Sequence, residues 1–193
     1  MPVDHLANSS SAKEPYDDWL LGRALAPVTL LEYGDLECPF SGAARPILEE
    51  LVAEYPEVVK VAYRHFPITT RHPHAFAAAE ATEIAGAQGK FWQMHDMLFT
   101  HQRTLEPERI AEYAEALGLN AERFREALRA HTYATKVQRD FQRGIRDRVK
   151  GTPTLFVNGA RYVGARTHDM LREAIWAALA EEQRGAVGPN ART

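Results

Sequence analysis

The sequence predicts an α/β protein whose mixed sheet is interrupted, after its second strand, by an all-helical insertion domain. Three observations carry this: an opening strand–helix–strand pattern, a middle stretch whose apolar residues recur at helical spacing, and a late pair of short strands around Asn158-Gly159. The first implies a parallel pair of strands and the last an antiparallel pair.

Residues 28–33 (Val-Thr-Leu-Leu-Glu-Tyr) follow Pro27, favour β structure and stop at Gly34-Asp35, so they read as the first core strand. Pro39 suits a first helical position. Ala43, Ala44, Ile47, Leu48, Leu51 and Val52 follow at spacings of three and four, predicting a helix to Tyr55 ahead of Pro56. Val58, Val59, Val61, Tyr63 and Phe66 return to strand character.

Residues 74–149 carry little strand signal and read as helices: an alanine-rich one to Ala87, then 90–101, then 107–117 stopped by Gly118. Another starts at Ala121 behind the cap residue Asn120, and the last reaches Val149. Strand pattern resumes at 154–157 and, past the Asn-Gly turn, at 160–163; residues 168–183 close the fold as a helix. The expected organisation is a core of residues 18–73 and 150–183, an insertion at 74–149, and flexible tails at 1–17 and 184–193.

A chain of 193 residues can bury one core with an elaboration, and 45% apolar with 25% charged residues excludes disorder. A net charge of −3 supplies no field for nucleic acid. The basic run Arg139, Arg143, Arg146, Arg148 and Lys150, beside Asp140 and Asp147, reads as a solvated helix face. No apolar run reaches the roughly 18 residues of a membrane span, and the first residues show no signal-peptide core. One cysteine allows no internal disulfide, which suits a reducing cytoplasm. His65, His72, His74, His95, His101, His131 and His168 lack metal-ligand spacing and read as packing or surface groups.

Cys38 falls between a strand end and a proline-initiated helix. Free N–H groups and the helix dipole favour an anion there, so a thiolate outweighs the bland reading of a buried apolar cysteine.

Cys38-Pro39-Phe40-Ser41 and Gly151-Thr152-Pro153-Thr154 become recognisable together with residues 26–35, Tyr63-Arg64-His65-Phe66-Pro67 and Lys90-Phe91-Trp92. In this order they resemble the DsbA-like thioredoxin-fold thiol–disulfide oxidoreductases, over residues 18–180. The resemblance implies a thioredoxin fold, Cys38 as catalytic thiol, and a cis Thr152-Pro153 bond beside it. Thr152 would pair with an extended peptide, and Pro153, Pro39 and Phe40 would complete the substrate contacts. Glu32 matches the position of a partly buried acid beneath the family's active site, with an exposed strand-end glutamate as the even alternative. Glu37 reads as a solvent-facing charge.

Ser41 departs from the family, which usually has cysteine there to resolve mixed disulfides from within. Release must then come from an external thiol. Ser41 either hydrogen-bonds the thiolate or packs and caps the first turn. Phe91, Met94, Met97 and Leu98, with Trp92 nearby, read mainly as core, with a substrate groove lined by Phe40 as the other reading.

The expected function is monothiol exchange on protein or peptide thiols and disulfides. It needs no bound cofactor or metal, uses glutathione or another small thiol as co-substrate, and has no nucleic-acid or membrane partner. Two rivals stay open: a redox-inactive peptide-binding module, and a kappa-type glutathione transferase or isomerase, which shares this fold plan and often uses a serine near the active helix.

Overall fold

The computed structural model describes residues 18–186. The chain runs β1 (Trp19–Leu21), β2 (Val28–Gly34), α1 (Pro39–Glu54), β3 (Val59–His65), α2 (Ala75–Gly86), α3 (Phe91–Thr100), α4 (Pro107–Ala116), α5 (Ala121–Arg129), α6 (Ala134–Arg146), β4 (Thr154–Val157), β5 (Ala160–Arg161) and α7 (His168–Ala186). The tail expected at 1–17 and residues 187–193 of the one expected at 184–193 lie outside the described residues; residues 184–186 of the latter instead continue α7 past its expected end at Gln183.

Among the described residues the sheet has the order β1-β3-β2-β4-β5. The Val28 N–H donates to Val58 O at 2.9 Å and the Phe66 N–H to Gly34 O at 2.8 Å, so β2 and β3 run parallel. β4 and β5 pair antiparallel, Val157 opposite Ala160. Their turn holds Asn158 and Gly159 at positive φ (44° and 83°), the conformation that a two-residue hairpin of the right twist requires. β5 ends at Arg161, short of the expected residue 163. β1, which the sequence pattern did not assign, pairs antiparallel with β3, Trp19 opposite Tyr63.

The chain divides into two compact units, each with its own core. One comprises residues 18–32, 45–63 and 155–186. Val28, Leu30, Leu51, Val59, Leu155, Leu171 and Ile175 fill it, from strands that alternate inward residues and helices that present one apolar face. The other comprises residues 33–44 and 64–154. Its core joins Ala81, Ile84, Met94, Leu98, Ile110 and Phe124, and it includes Leu36 from the loop ahead of α1. Phe91, Met94 and Leu98 are buried, as expected of a helical core face, with Met97 half-buried. Asn120 caps α5, its Oδ1 accepting the Arg123 N–H at 3.0 Å.

Candidate active site

After β2 the chain turns tightly, with the Cys38 N–H donating to Asp35 O at 3.0 Å. Cys38 O accepts the Gly42 N–H at 3.0 Å, the bond that begins α1, so Cys38 is the cap residue of that helix. Pro39, exposed, takes the first helical position, where a missing N–H costs nothing. Cys38 is 4% exposed, and its Sγ–H donates to Thr152 O at 3.4 Å. The Thr152–Pro153 bond is cis. Pro153 is buried, and Thr152 Oγ1 is buried with no hydrogen-bond partner. Phe40 stands 66% exposed beside the cysteine in sequence. Cys38, Pro39, Phe40, Ser41, Thr152 and Pro153 thus belong to one unit, and Glu32 to the other.

Ser41 is fully buried, and its Oγ accepts the Asp35 N–H at 3.3 Å. Asp35, also buried, is the hub of the loop. Oδ1 accepts the Glu37 N–H at 2.9 Å; Oδ2 accepts the Ile68 N–H at 2.8 Å and lies 2.8 Å from His72 Nδ1, which must be the donor to a carboxylate. Glu37, expected to face solvent, is instead half-buried: its Oε2 accepts the His74 N–H at 2.7 Å at the start of α2, where a negative charge meets free N–H groups. Gln102 reaches the loop from the turn after α3, and its Nε2 donates to Leu36 O and Cys38 O, both at 2.9 Å.

Sequence reasoning missed Asp35 and Gln102 as site residues. The local half of the Asp35 network was readable, because an aspartate accepting from the N–H two residues on is a known turn-former. The bonds of Asp35 to Ile68 and His72, and those of Gln102 to Leu36 and Cys38, join residues far apart in sequence and leave no pattern in it.

Glu32, in the other unit, is 3% exposed with Oε1 unpartnered. Burial pushes its carboxyl from 4.5 up to about 8, against the opposing pull of Arg166.

Among the described residues one set of groups has ligand-type proximity: His65, Glu83 and Asp140, all buried, with ligand atoms within 4.8 Å of one another. Asp140 was expected on a solvated face; it is fully buried, and burial raises its carboxyl against the pull of Lys136. Lys136 Nζ lies 2.6 Å from Asp140 Oδ2 and 3.6 Å from Glu83 Oε1, so an ammonium already supplies the cation this set needs. His65, expected to pack, does so against Phe91 and also meets Glu83 Oε1 at 3.1 Å.

A mixed sheet with a helical insertion, and a single thiol capping the helix after the central strand, define a thioredoxin-fold protein. The chain belongs to the thioredoxin family, whose model matches residues 14–177. Its fold is that of DsbA-like proteins. BdbD from Bacillus subtilis superposes with a TM-score of 0.74 at 24% identity, covering 83% of this chain and 92% of that one. The α-DsbA1 of Wolbachia pipientis gives 0.72 at 18% identity, covering 86% and 94%. In sequence, the chain is 43% identical over 167 residues to the Na(+)/H(+) antiporter NhaA 1 of Salinispora arenicola (strain CNS-205). That match takes in 86% of this chain but spans only 26% of the antiporter's length. Among the described residues, no helix is long and apolar enough to cross a membrane.

Proposed function

We propose that this protein is a monothiol thiol–disulfide exchange enzyme acting through Cys38. The observation that carries the reading is the cysteine's position at the start of α1, its sulfur against Thr152 O, with serine at the place of a second thiol. The Cys38 thiolate attacks the glutathione sulfur of a protein–glutathione disulfide. That S–S bond breaks, a Cys38–glutathione disulfide forms, and the protein leaves as a thiolate that takes a proton from water. A second glutathione thiolate attacks the adduct, forms glutathione disulfide and returns the Cys38 thiolate. The electrons that reduce the substrate come from glutathione, so the protein needs no bound cofactor. Exposed Phe40 and the Thr152 backbone are the contacts for the peptide around the substrate sulfur. A reducing compartment such as the cytoplasm fits this chemistry, because the resolving thiol is abundant there.

Mass spectrometry tests the reading. With a glutathionylated peptide, wild type should hold a Cys38 mixed disulfide until free glutathione is added. Cys38→Ser should hold none, and Ser41→Cys should form an internal disulfide and gain insulin reduction. Wild type that reduces insulin as a dithiol enzyme does, or a Cys38 that alkylates no faster than free cysteine at neutral pH, would overturn it.

A further inference from the structure

Gln102 is placed with more care than a surface glutamine needs. Its turn is fixed on both sides: the Thr104 N–H donates to His101 O at 2.9 Å, and His101 Nδ1 donates to Met97 O at 2.8 Å. The His101 ring packs on Tyr113 at 4.7 Å between centroids, and Tyr113 Oη lies 2.7 Å from Thr104 Oγ1. From this turn the Gln102 amide spans two carbonyls of the cysteine loop, Leu36 O two residues before the cysteine and the cysteine's own Cys38 O. Carbonyls only accept, so the amide nitrogen must face them. On the far side lies Gly42, where a Cβ would come within 2.5 Å of Gln102 Oε1 and 3.2 Å of Nε2. The missing side chain at Gly42 is what lets the amide in.

We infer that Gln102 is a positioning residue for Cys38, holding the nucleophile's backbone from the helical insertion through its paired bonds to Leu36 O and Cys38 O; the role rests on the thiol chemistry proposed above. Two effects follow. The amide pins the Leu36–Glu37 and Cys38–Pro39 peptide planes, between which the Cys38 N–H is held on Asp35 O, and so the direction of its sulfur. It also polarises a carbonyl of the same residue as the sulfur, whose partial negative charge otherwise opposes the thiolate. Pro39 lacks an N–H and the Gly42 N–H is already spent on Cys38 O, so few other donors are available to this helix start.

The test is the iodoacetamide rate of Cys38 across pH 5–9 for wild type, Gln102→Met, Gln102→Glu and Gly42→Ala, with thermal melts alongside. Gln102→Met, which keeps the volume and loses the donor, should react about fivefold more slowly at pH 7, the worth of one ordinary hydrogen bond. Gln102→Glu, which sets a carboxylate against two carbonyls, should be slower still, with its profile moved to higher pH. Gly42→Ala should resemble Gln102→Met although Gln102 is intact, because the new methyl displaces the amide; it also answers the question if Gln102→Glu fails to fold. If Gln102→Met and Gly42→Ala keep the wild-type profile, the inference is overturned, whatever the absolute rate. If wild type reacts no faster than free cysteine but the variants are slower again, Gln102 keeps its role and the monothiol reading falls.

Discussion

A carboxylate that leaves water needs donors in exchange, and Glu32 has exchanged 97% of its exposure for a site where Oε1 finds none. It therefore keeps its proton up to about 8, whereas in the unfolded chain it loses it near 4.5. Between those values the native state binds the extra proton, so stability is complete below 4.5 and is lost as pH rises towards 8 and beyond. The loss attributable to this one group is on the order of a few kcal/mol. Glu32→Gln keeps the shape and removes the titration. Melting temperatures from pH 5 to pH 9 should fall more steeply for wild type than for Glu32→Gln, with the variant the more stable at pH 9. Parallel curves would mean that Glu32 ionises without cost where it stands. That a glutamate sits at the end of the first core strand was legible in the sequence; its burial was one of two even readings that the family resemblance left open, and the structure settles it.

Elements were most readable where their signals are local. Pro39, Pro107, Gly118, the Asn120 cap and the Asn158-Gly159 turn mark boundaries through their own backbone chemistry, and the structure starts or stops elements at or next to each. β1 escaped because a strand of three residues is too short for alternation to show. The basic run at the end of α6 was legible as a solvated face, with Arg139, Arg146, Arg148 and Lys150 exposed, but Asp140 lies with Lys136, Val137 and Gly144 on the buried one. Gly144 shows how tightly that face packs. A Cβ there would overlap the Phe66 ring, with Cε2 at 2.6 Å and Tyr33 Cδ1 at 3.3 Å. The Phe66 ring is held by stacking on Phe141 at 4.5 Å and by the edge of Tyr33 at 6.2 Å. Helix propensity alone would make Gly144→Ala stabilising by about 1 kcal/mol, but overpacking of this kind costs about 1–3 kcal/mol. Urea unfolding should therefore show Gly144→Ala to be destabilised, while Gly185→Ala in α7, where nothing lies within 4 Å, should be neutral or slightly stabilised. A stabilised Gly144→Ala would show that the Phe66 ring can move aside.

At the scale of the whole molecule, Cys38 follows a sheet strand in sequence yet is grouped with the helical unit. Leu36 is the physical link: it is buried in the core that holds Leu98, Met94 and Phe124, not in the core of Leu30 and Leu171. Nothing in the sequence pattern foretold this, since Leu36 lies outside every periodic run and its partners are more than forty positions away in the chain. The consequence is a difference in local stability. Leu98→Ala and Leu171→Ala remove equivalent, fully buried side chains, and each should cost about 2–5 kcal/mol of global stability. Their effects on the thiol should differ. Cys38 is nearly buried, so a bulky maleimide must wait for its loop to open. Loosening the helical core frees Leu36 and with it the loop, whereas truncation at Leu171 leaves that anchor intact. Under native conditions Leu98→Ala should speed maleimide labelling of Cys38 several-fold more than Leu171→Ala does at matched global stability. Equal acceleration by the two variants would mean that the loop opens only with global unfolding, and that its anchor in the helical core has no independent mechanical role.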